Sequence, residues 1–296
     1  MTVSAPGRDE RLRRPSGLRS LRLGELRVTY VPDGAAQLVP HLWLPGTTGE
    51  VWAEHPEYLD ESGHLVASIG GLLVEHGERA LLIDTGFGPH SVPAQPGSPL
   101  GAVRSGALPA GLARAGRRPE DIEAVAVTHL HIDHGGWAWH PDPAEGRFLF
   151  AHADHLLTRP EWEQRHLAEA SGITREMLAA IDPRVRTVED GEEVFPGVRV
   201  EYAAGHTVGH AVYVISSGGR RLIAFGDAMH SPLQADHPEW PALPDHDPER
   251  AAAFRRRLLD ELEEPGTIGF GGHFADVVFG RVRRGGPGPA WQPYEG

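Results

Sequence analysis

In the stretch Val127-Thr128-His129-Leu130-His131-Ile132-Asp133-His134-Gly135-Gly136-Trp137, four potential metal ligands fall within six residues, in the order His-x-His-x-Asp-His. Ahead of it, Ile122-Glu123-Ala124-Val125-Ala126-Val127 is apolar nearly throughout and rich in β-branched residues, which predicts a buried strand. The ligand-rich stretch therefore falls where a core strand ends and the chain turns. Gly135 and Gly136 permit a tight path onward. Imidazole suits zinc and related divalent ions, and a carboxylate beside three histidines suits a site holding more than one ion. A metal-free polar loop would leave a cluster of imidazoles at a strand end in need of other partners.

Composition narrows what such a site can be. The chain has no cysteine, so there is neither a disulfide framework nor a thiolate metal site, and a transition metal must be held by histidine and carboxylate. All 28 basic residues are arginines, which excludes a Schiff-base or nucleophilic lysine. A net charge of −13 argues against nucleic acid or an anionic membrane as partner. At 296 residues the chain can bury a large core without staples. No window approaches the roughly 20 apolar residues of a membrane span. Residues 1–19 are rich in Arg, Gly, Pro and Ser; they lack the apolar core of a secretory signal and read as a disordered lead-in. A cytoplasmic protein is expected.

In chain order, Leu21 to Val31 alternates well enough for a first strand pair, with Pro32-Asp33-Gly34 as its closing turn. Residues 35–62 read as irregular, with Trp43, Trp52 and Tyr58 as packing or as a pocket wall. Leu65–Val74 and Ala80–Gly86 form a hairpin. Residues 87–105, with four prolines, read as a mobile loop, and Leu108–Ala115 as a short helix. Arg147–Ala151 is predicted as a strand, and residues 153–182 as a helical cap over the site, from apolar positions such as Leu156, Leu157, Trp162 and Ile173 amid charges. Val198–Ala203, Ala211–Ser216, Arg221–Phe225 and Thr267–Phe270 are further strands. Pro248–Glu264 is a helix with Arg255, Arg256 and Arg257 on its wet side.

Four separate strand ends thus carry candidate ligands: the cluster His129, His131, Asp133, His134, then His206, Asp227 and His273. The last three each follow an apolar run and sit beside glycine, which lets backbones converge. Five histidines and two aspartates are the stock for two metal ions sharing one carboxylate.

On these residues the chain resembles the metallo-β-lactamase superfamily. The matching pieces are Leu82-Ile83-Asp84-Thr85-Gly86, the His129-x-His131-x-Asp133-His134 signature, Gly205-His206-Thr207-x-Gly209-His210, Gly226-Asp227 and the late His273. Together they span about residues 65–275, and the chain looks closest to the branch of N-acyl homoserine lactonases and methyl parathion hydrolases. The resemblance implies an α+β fold, a four-layer αββα sandwich in one domain over residues 20–296. It also implies two divalent ions, zinc above all with Fe, Mn or Co as alternatives, one held by His129, His131 and His206 and the other by Asp133, His134 and His273. Asp227 would bridge them, and Asp84 would orient ligands of the first cluster.

The implied activity is a hydrolase in which a metal-bridging hydroxide cleaves a small-molecule lactone or carboxylic ester, with Asp133 aiming the nucleophile. Phosphotriester or thioester hydrolysis are alternatives, and an iron-dependent oxidoreductase of the same fold is the alternative from a different class. Two departures stand out. Ala204 replaces a proline usual before Gly-His, and His230 stands three residues after Asp227, where lactonases of this branch carry tyrosine. His230 is expected either to touch substrate or to support Asp227, His210 to be structural, and His140, His152, His155, His166, His237 and His246 to lie in loops or at the surface. The apolar cap and the tryptophan-bearing loops suggest a homodimer.

Overall fold

Strands buried on both faces lose the polar-apolar alternation of half-exposed ones, and this chain has several of them. Leu72 and Val74 face one core while Leu73 faces another, and Leu81 and Ile83 are divided from Leu82 in the same way. In the second half, Ala211, Tyr213 and Ile215 share the first of these cores, whereas Val212 packs into a third. Three stacked cores require four layers. The computed structural model describes residues 7–286 and 288–295 and shows them as an αββα sandwich of mixed α and β structure.

The first sheet holds nine strands among the described residues. They are β1 (Arg19–Leu23), β2 (Leu26–Leu38), β3 (Leu65–His76), β4 (Arg79–Ile83), β5 (Ser91–Val92), β6 (Leu100–Arg104), β7 (Ala124–Ala126), β8 (Asp154–Thr158) and β9 (Val185–Val188). Their order is β5-β6-β2-β3-β4-β7-β8-β9, with β1 also paired to β2. The second sheet runs β10 (Glu193–Phe195), β11 (Val198–Tyr202), β12 (Ala211–Ser217), β13 (Arg220–Ala224), β14 (Thr267–Phe270), β15 (Phe279–Val282) and β16 (Trp291–Pro293), in sequential order.

Pairing is antiparallel except along β4-β7-β8-β9 and between β13 and β14. Two of the parallel pairs end level: Ile83, the last residue of β4, pairs with Ala126, the last of β7, and Ala224 of β13 with Phe270 of β14. The segments that leave them emerge side by side, the usual place for a ligand site in sheets with parallel strands. Among the described residues no helix is long and apolar enough to cross a membrane.

Several expectations are corrected. Pro32-Asp33-Gly34 is no turn: β2 runs through it to Leu38, absorbing the proline with a register shift between Pro32 and Gly34, while Gly24-Glu25 makes the turn after β1. The Asp33 side chain gains a purpose from this shift, accepting bonds from the backbone N–H groups of Phe87, Gly88, Gly106 and Leu108 and from Trp137 Nε1. Residues 35–62 hold short helices, Pro40–Trp43 and Gly49–Glu54, and residues 87–105 supply β5 and β6.

No strand forms over Arg147–Ala151; the strand beside β7 is β8, taken in sequence as helix. A parallel strand covered on both faces shows the unbroken apolar run that a buried helix also shows. The helical part of that region is Arg159–Glu163, Arg165–Ser171 and Arg175–Ile181, with a further turn from Asp182 to Arg184. Residues 1–6 lie outside the described residues, but Arg8–Leu12 is a helix with Leu12 buried, so the lead-in reading does not describe residues 8–19. His155 lies in β8, buried, not in a loop.

The helix Pro248–Leu262 begins as its sequence demands, with Asp247 accepting from the Arg250 N–H and proline in the first turn. Arg255, however, is not on its wet side. Its side chain is fully buried, donating to the carbonyls of Pro238 and Ala228 and pairing with Asp245 at 3.2 Å. Removing one partner of a buried ion pair leaves the other charge uncompensated. Arg255→Met should therefore lower the unfolding free energy by about 3–5 kcal/mol in urea titrations. A loss below ~1 kcal/mol, the range of exposed pairs, would show that the pair does not act as a buried one.

Candidate metal centre

Each candidate ligand is delivered by a strand end. β7 leads into the turn bearing His129, His131, Asp133 and His134; β11 leads to His206, β13 to Asp227 and β14 to His273. The seven side chains converge. His129, His131, His206 and Asp227 form one group and Asp133, His134 and His273 another, with ligand atoms in each group within 4.8 Å of one another.

Asp227 lies between the two. Its Oδ2 is 3.7 Å from His129 Nε2 and 3.4 Å from His206 Nε2, and its Oδ1 is 3.2 Å from His134 Nε2 and 3.1 Å from His273 Nε2. His131 meets the first group through Nδ1, 3.1 Å from His206 Nε2. Asp133 meets the second, 3.7 Å from His134 Nε2 and 3.5 Å from His273 Nε2.

These residues fit divalent metal. His129 Nε2, His134 Nε2 and Asp227 Oδ1 are buried without a hydrogen-bond partner, a costly condition unless another acceptor of their lone pairs is present. Burial, helped by neighbouring imidazoles, pushes His129 and His131 well below their usual range, so both are neutral as ligation requires. Burial opposes charge on Asp227 too, yet His134, His273, His230 and His129 hold its carboxyl well below the ordinary range. Against the same burial, Asp227 and Asp84 raise His134 well above its usual value, and Asp227 and Asp133 raise His273 to about 9. The centre is thus built to hold positive charge.

The far nitrogens of the imidazoles are also fixed, which sets which ring atom faces inward. His134 Nδ1 bonds Asp84 at 2.9 Å, His206 Nδ1 bonds Asp245 at 3.0 Å, and His273 Nδ1 donates to the Ser68 carbonyl at 2.8 Å. Asp84 reaches His134 from a left-handed backbone, φ 60°, unusual outside glycine, and also takes bonds from the Thr128 N–H and hydroxyl. The His206 imidazole and the Arg255 guanidinium, working against burial, bring the Asp245 carboxyl down to about 2, so it stays ionised.

Glu161 joins two ligand loops by accepting from the Leu130 N–H, the Thr207 hydroxyl and the Gly209 N–H, each at 2.8 Å. A Cβ on Gly209 would fall 2.2 Å from the Glu161 nitrogen, which explains a glycine there. Asp84 stands beside the histidine cluster, as the family resemblance implied. Asp245, Glu161 and Ser68 were missed, because none lies in a motif and each acts through a contact made only in three dimensions.

His210 fits its structural role. Its Nε2 accepts from the Asp227 N–H at 3.0 Å, and burial brings it down to about 3, so it is neutral. His230 is buried, its Nε2 3.1 Å from Asp227 Oδ2, its ring stacked on His273 and edge-on to Trp43. It also lines the cavity above the centre. That cavity, about 410 Å³, has His131, Asp133, Asp227, His230 and His273 at its base and Leu38, Trp43, Ile69, Phe87, Leu100 and Val103 among its walls. Its lining draws on residues 35–62 and 87–105, and Ala170 and Ser171 add the edge of the cap.

Known proteins share this architecture. N-acyl homoserine lactonase AiiA of Bacillus thuringiensis subsp. kurstaki is 27% identical over 167 residues, covering 55% of this chain and 60% of AiiA. This chain therefore matches about three fifths of the length of that curated relative. Among solved structures, AidC, described as a dizinc quorum-quenching lactonase with a bound product, superposes with a TM-score of 0.79 at 24% identity, covering 95% of this chain and 98% of AidC. The hydrolase AbOPH, described as a member of the beta lactamase superfamily, gives a TM-score of 0.73 at 24% identity, over 94% of this chain and 96% of AbOPH. At that identity these structures speak for the fold. The family model of the metallo-beta-lactamase superfamily matches residues 72–273, more than half of the chain, and the chain belongs to that superfamily.

Proposed function

We propose that the protein is a dinuclear metal-dependent hydrolase of a lactone or carboxylic ester with an apolar acyl portion. The observation that carries this reading is the Asp227 carboxylate, which turns one oxygen to His129 and His206 and the other to His134 and His273 at the base of an apolar cavity. His129, His131 and His206 would hold one ion, Asp133, His134 and His273 the other, and Asp227 would serve both. When bound, two such ions supply an activated water at neutral pH and an electrophilic pole for the substrate oxygen.

The protein's own groups do the rest. Leu38, Ile69, Leu100 and Val103 take the acyl portion out of water and aim its carbonyl at the centre. Asp133, whose side chain is one-quarter exposed toward the cavity, accepts a hydrogen bond from the attacking water and fixes its direction. His230 lines the cavity with its Nδ1 free of a hydrogen-bond partner, and its N–H would serve the departing oxygen. Relatives described as lactonases support the substrate class, and the apolar walls support an acyl rather than a highly charged substrate.

Three measurements test this reading. Elemental analysis of protein prepared without chelator should find close to two divalent ions per chain, zinc being the expected one, and His131→Ala or Asp227→Ala should lose metal and activity together. Protein with no bound metal would contradict it.

His230→Ala should lower kcat by ~10²–10⁴ with metal content intact if the imidazole assists the leaving oxygen. A ~10–100-fold weakening of metal binding would instead identify it as a support for Asp227. Full activity with full metal would defeat both roles.

The metal-loaded protein, screened against lactones, aryl esters, thioesters, β-lactams and phosphotriesters, should turn over medium-chain lactones or esters with the highest kcat/KM. Preference for a phosphotriester or thioester would replace the proposed substrate class while leaving the centre in place.

A further inference from the structure

Three guanidinium groups, those of Arg11, Arg14 and Arg19, converge on one carboxylate, Asp276, which is 2% exposed. Arg14 bonds Oδ2 through Nε at 3.0 Å and Nη2 at 2.8 Å, and Arg19 bonds Oδ1 through Nε at 2.8 Å. Arg11 donates through Nε to the Asp276 carbonyl at 2.9 Å, while its own carbonyl accepts from the Asp276 N–H at 3.1 Å. Glu295 pairs with Arg11 and Arg19 on the outer side. Charge-assisted bonds are the strong ones, and here several of them fix both oxygens of one buried carboxylate.

The position of Asp276 gives these bonds their consequence. It is three residues after His273, in the loop that joins β14 to β15 and passes through Ala275 in a left-handed conformation, φ 41°. A second thread reaches the same histidine. The Ser16 N–H donates to Ser68 Oγ at 2.8 Å, Ser68 Oγ donates to the Ala275 carbonyl at 2.8 Å, and the Ser68 carbonyl accepts from His273 Nδ1. Segment 8–19 therefore holds both the loop that carries His273 and the serine that orients its ring. The first group of ligands has different supports: His206 rests on Asp245, and the turn through Leu130 rests on Glu161. Arg11, Arg14, Ser16, Arg19, Ser68 and Asp276 all lie outside the 72–273 stretch matched to the superfamily.

We propose that segment Arg8–Arg19 is a clamp that positions His273, with Asp276 and Ser68 as the positioning residues, and so sets the affinity of the second metal position without touching the first. This rests on the reading of His273 as a ligand. Zinc competition against a chromophoric chelator, with thermal melting as the check on folding, separates the two claims.

The wild type should take up two ions. Arg14→Ala, and more strongly the double variant R14A/R19A, should keep the tight ion and bind the other ~10–100-fold more weakly, the usual cost of removing a group that orients a metal-ligating histidine. Arg14→Lys, which keeps the charge on Asp276, should recover most of that loss. If the double variant melts too low to assay, Arg14→Ala carries the test, because it leaves two guanidinium groups in place. Equal weakening of both ions, or weakening of neither in folded protein, overturns the clamp. A wild type that binds one ion overturns the ligand reading beneath it.

Discussion

A single carboxylate, that of Asp227, sets the terms for the rest of the structure. It is 3% exposed and ionised, and the imidazoles of His129, His134, His206, His230 and His273 stand around its two oxygens at 3.1 to 3.7 Å. A buried charge survives only among groups that compensate it. Bringing five imidazoles to one point takes segments from both sheets. Strand ends β7, β11, β13 and β14 supply them, and the parallel pairs β4-β7 and β13-β14 finish level so that those segments meet. The sandwich can be understood as the scaffold that makes such a meeting of distant segments routine.

Close approach is the second condition. Gly226 lies in a left-handed conformation, φ 52°, and a Cβ there would come 2.7 Å from His210 Nε2, the atom that accepts the Asp227 N–H. Gly136 lets the ligand turn press against the backbone of Phe87 and Gly88, where a Cβ would sit at 2.1 Å from the Phe87 carbonyl carbon. These glycines put a carboxylate and its imidazoles in contact while strands carry on past them. The same packing leaves a cavity whose walls come from stretches far apart in sequence.

The candidate ligands were legible from local signals: four fall within six residues at the end of an apolar run, and His206, Asp227 and His273 each follow an apolar run and sit beside glycine. The layered fold was implied by the family resemblance that those motifs carry, and strands such as Leu81-Leu82-Ile83, apolar on both faces, show why the chain adopts it. What escaped the sequence depends on partners that no local pattern announces. Arg255 sits among charged neighbours on a helix, yet Asp245 and two carbonyls draw it inside. β8 looked helical because burial on both faces erases the two-residue period. Asp33 resembled a turn residue because Pro-Asp-Gly favours turns in isolation, whereas a register shift and five donors keep it in a strand. Residues 8–19, polar and arginine-rich, carry the composition of an unstructured segment, and what holds them is one buried aspartate more than 250 residues away.

Anomalous scattering from crystals of the zinc-loaded protein would locate the ions. Two peaks per chain are expected beside the Asp227 carboxylate, one within bonding reach of His129, His131 and His206 and the other of Asp133, His134 and His273. A single peak, or a second one ligated by His230 or His210 in place of these residues, would contradict this assignment.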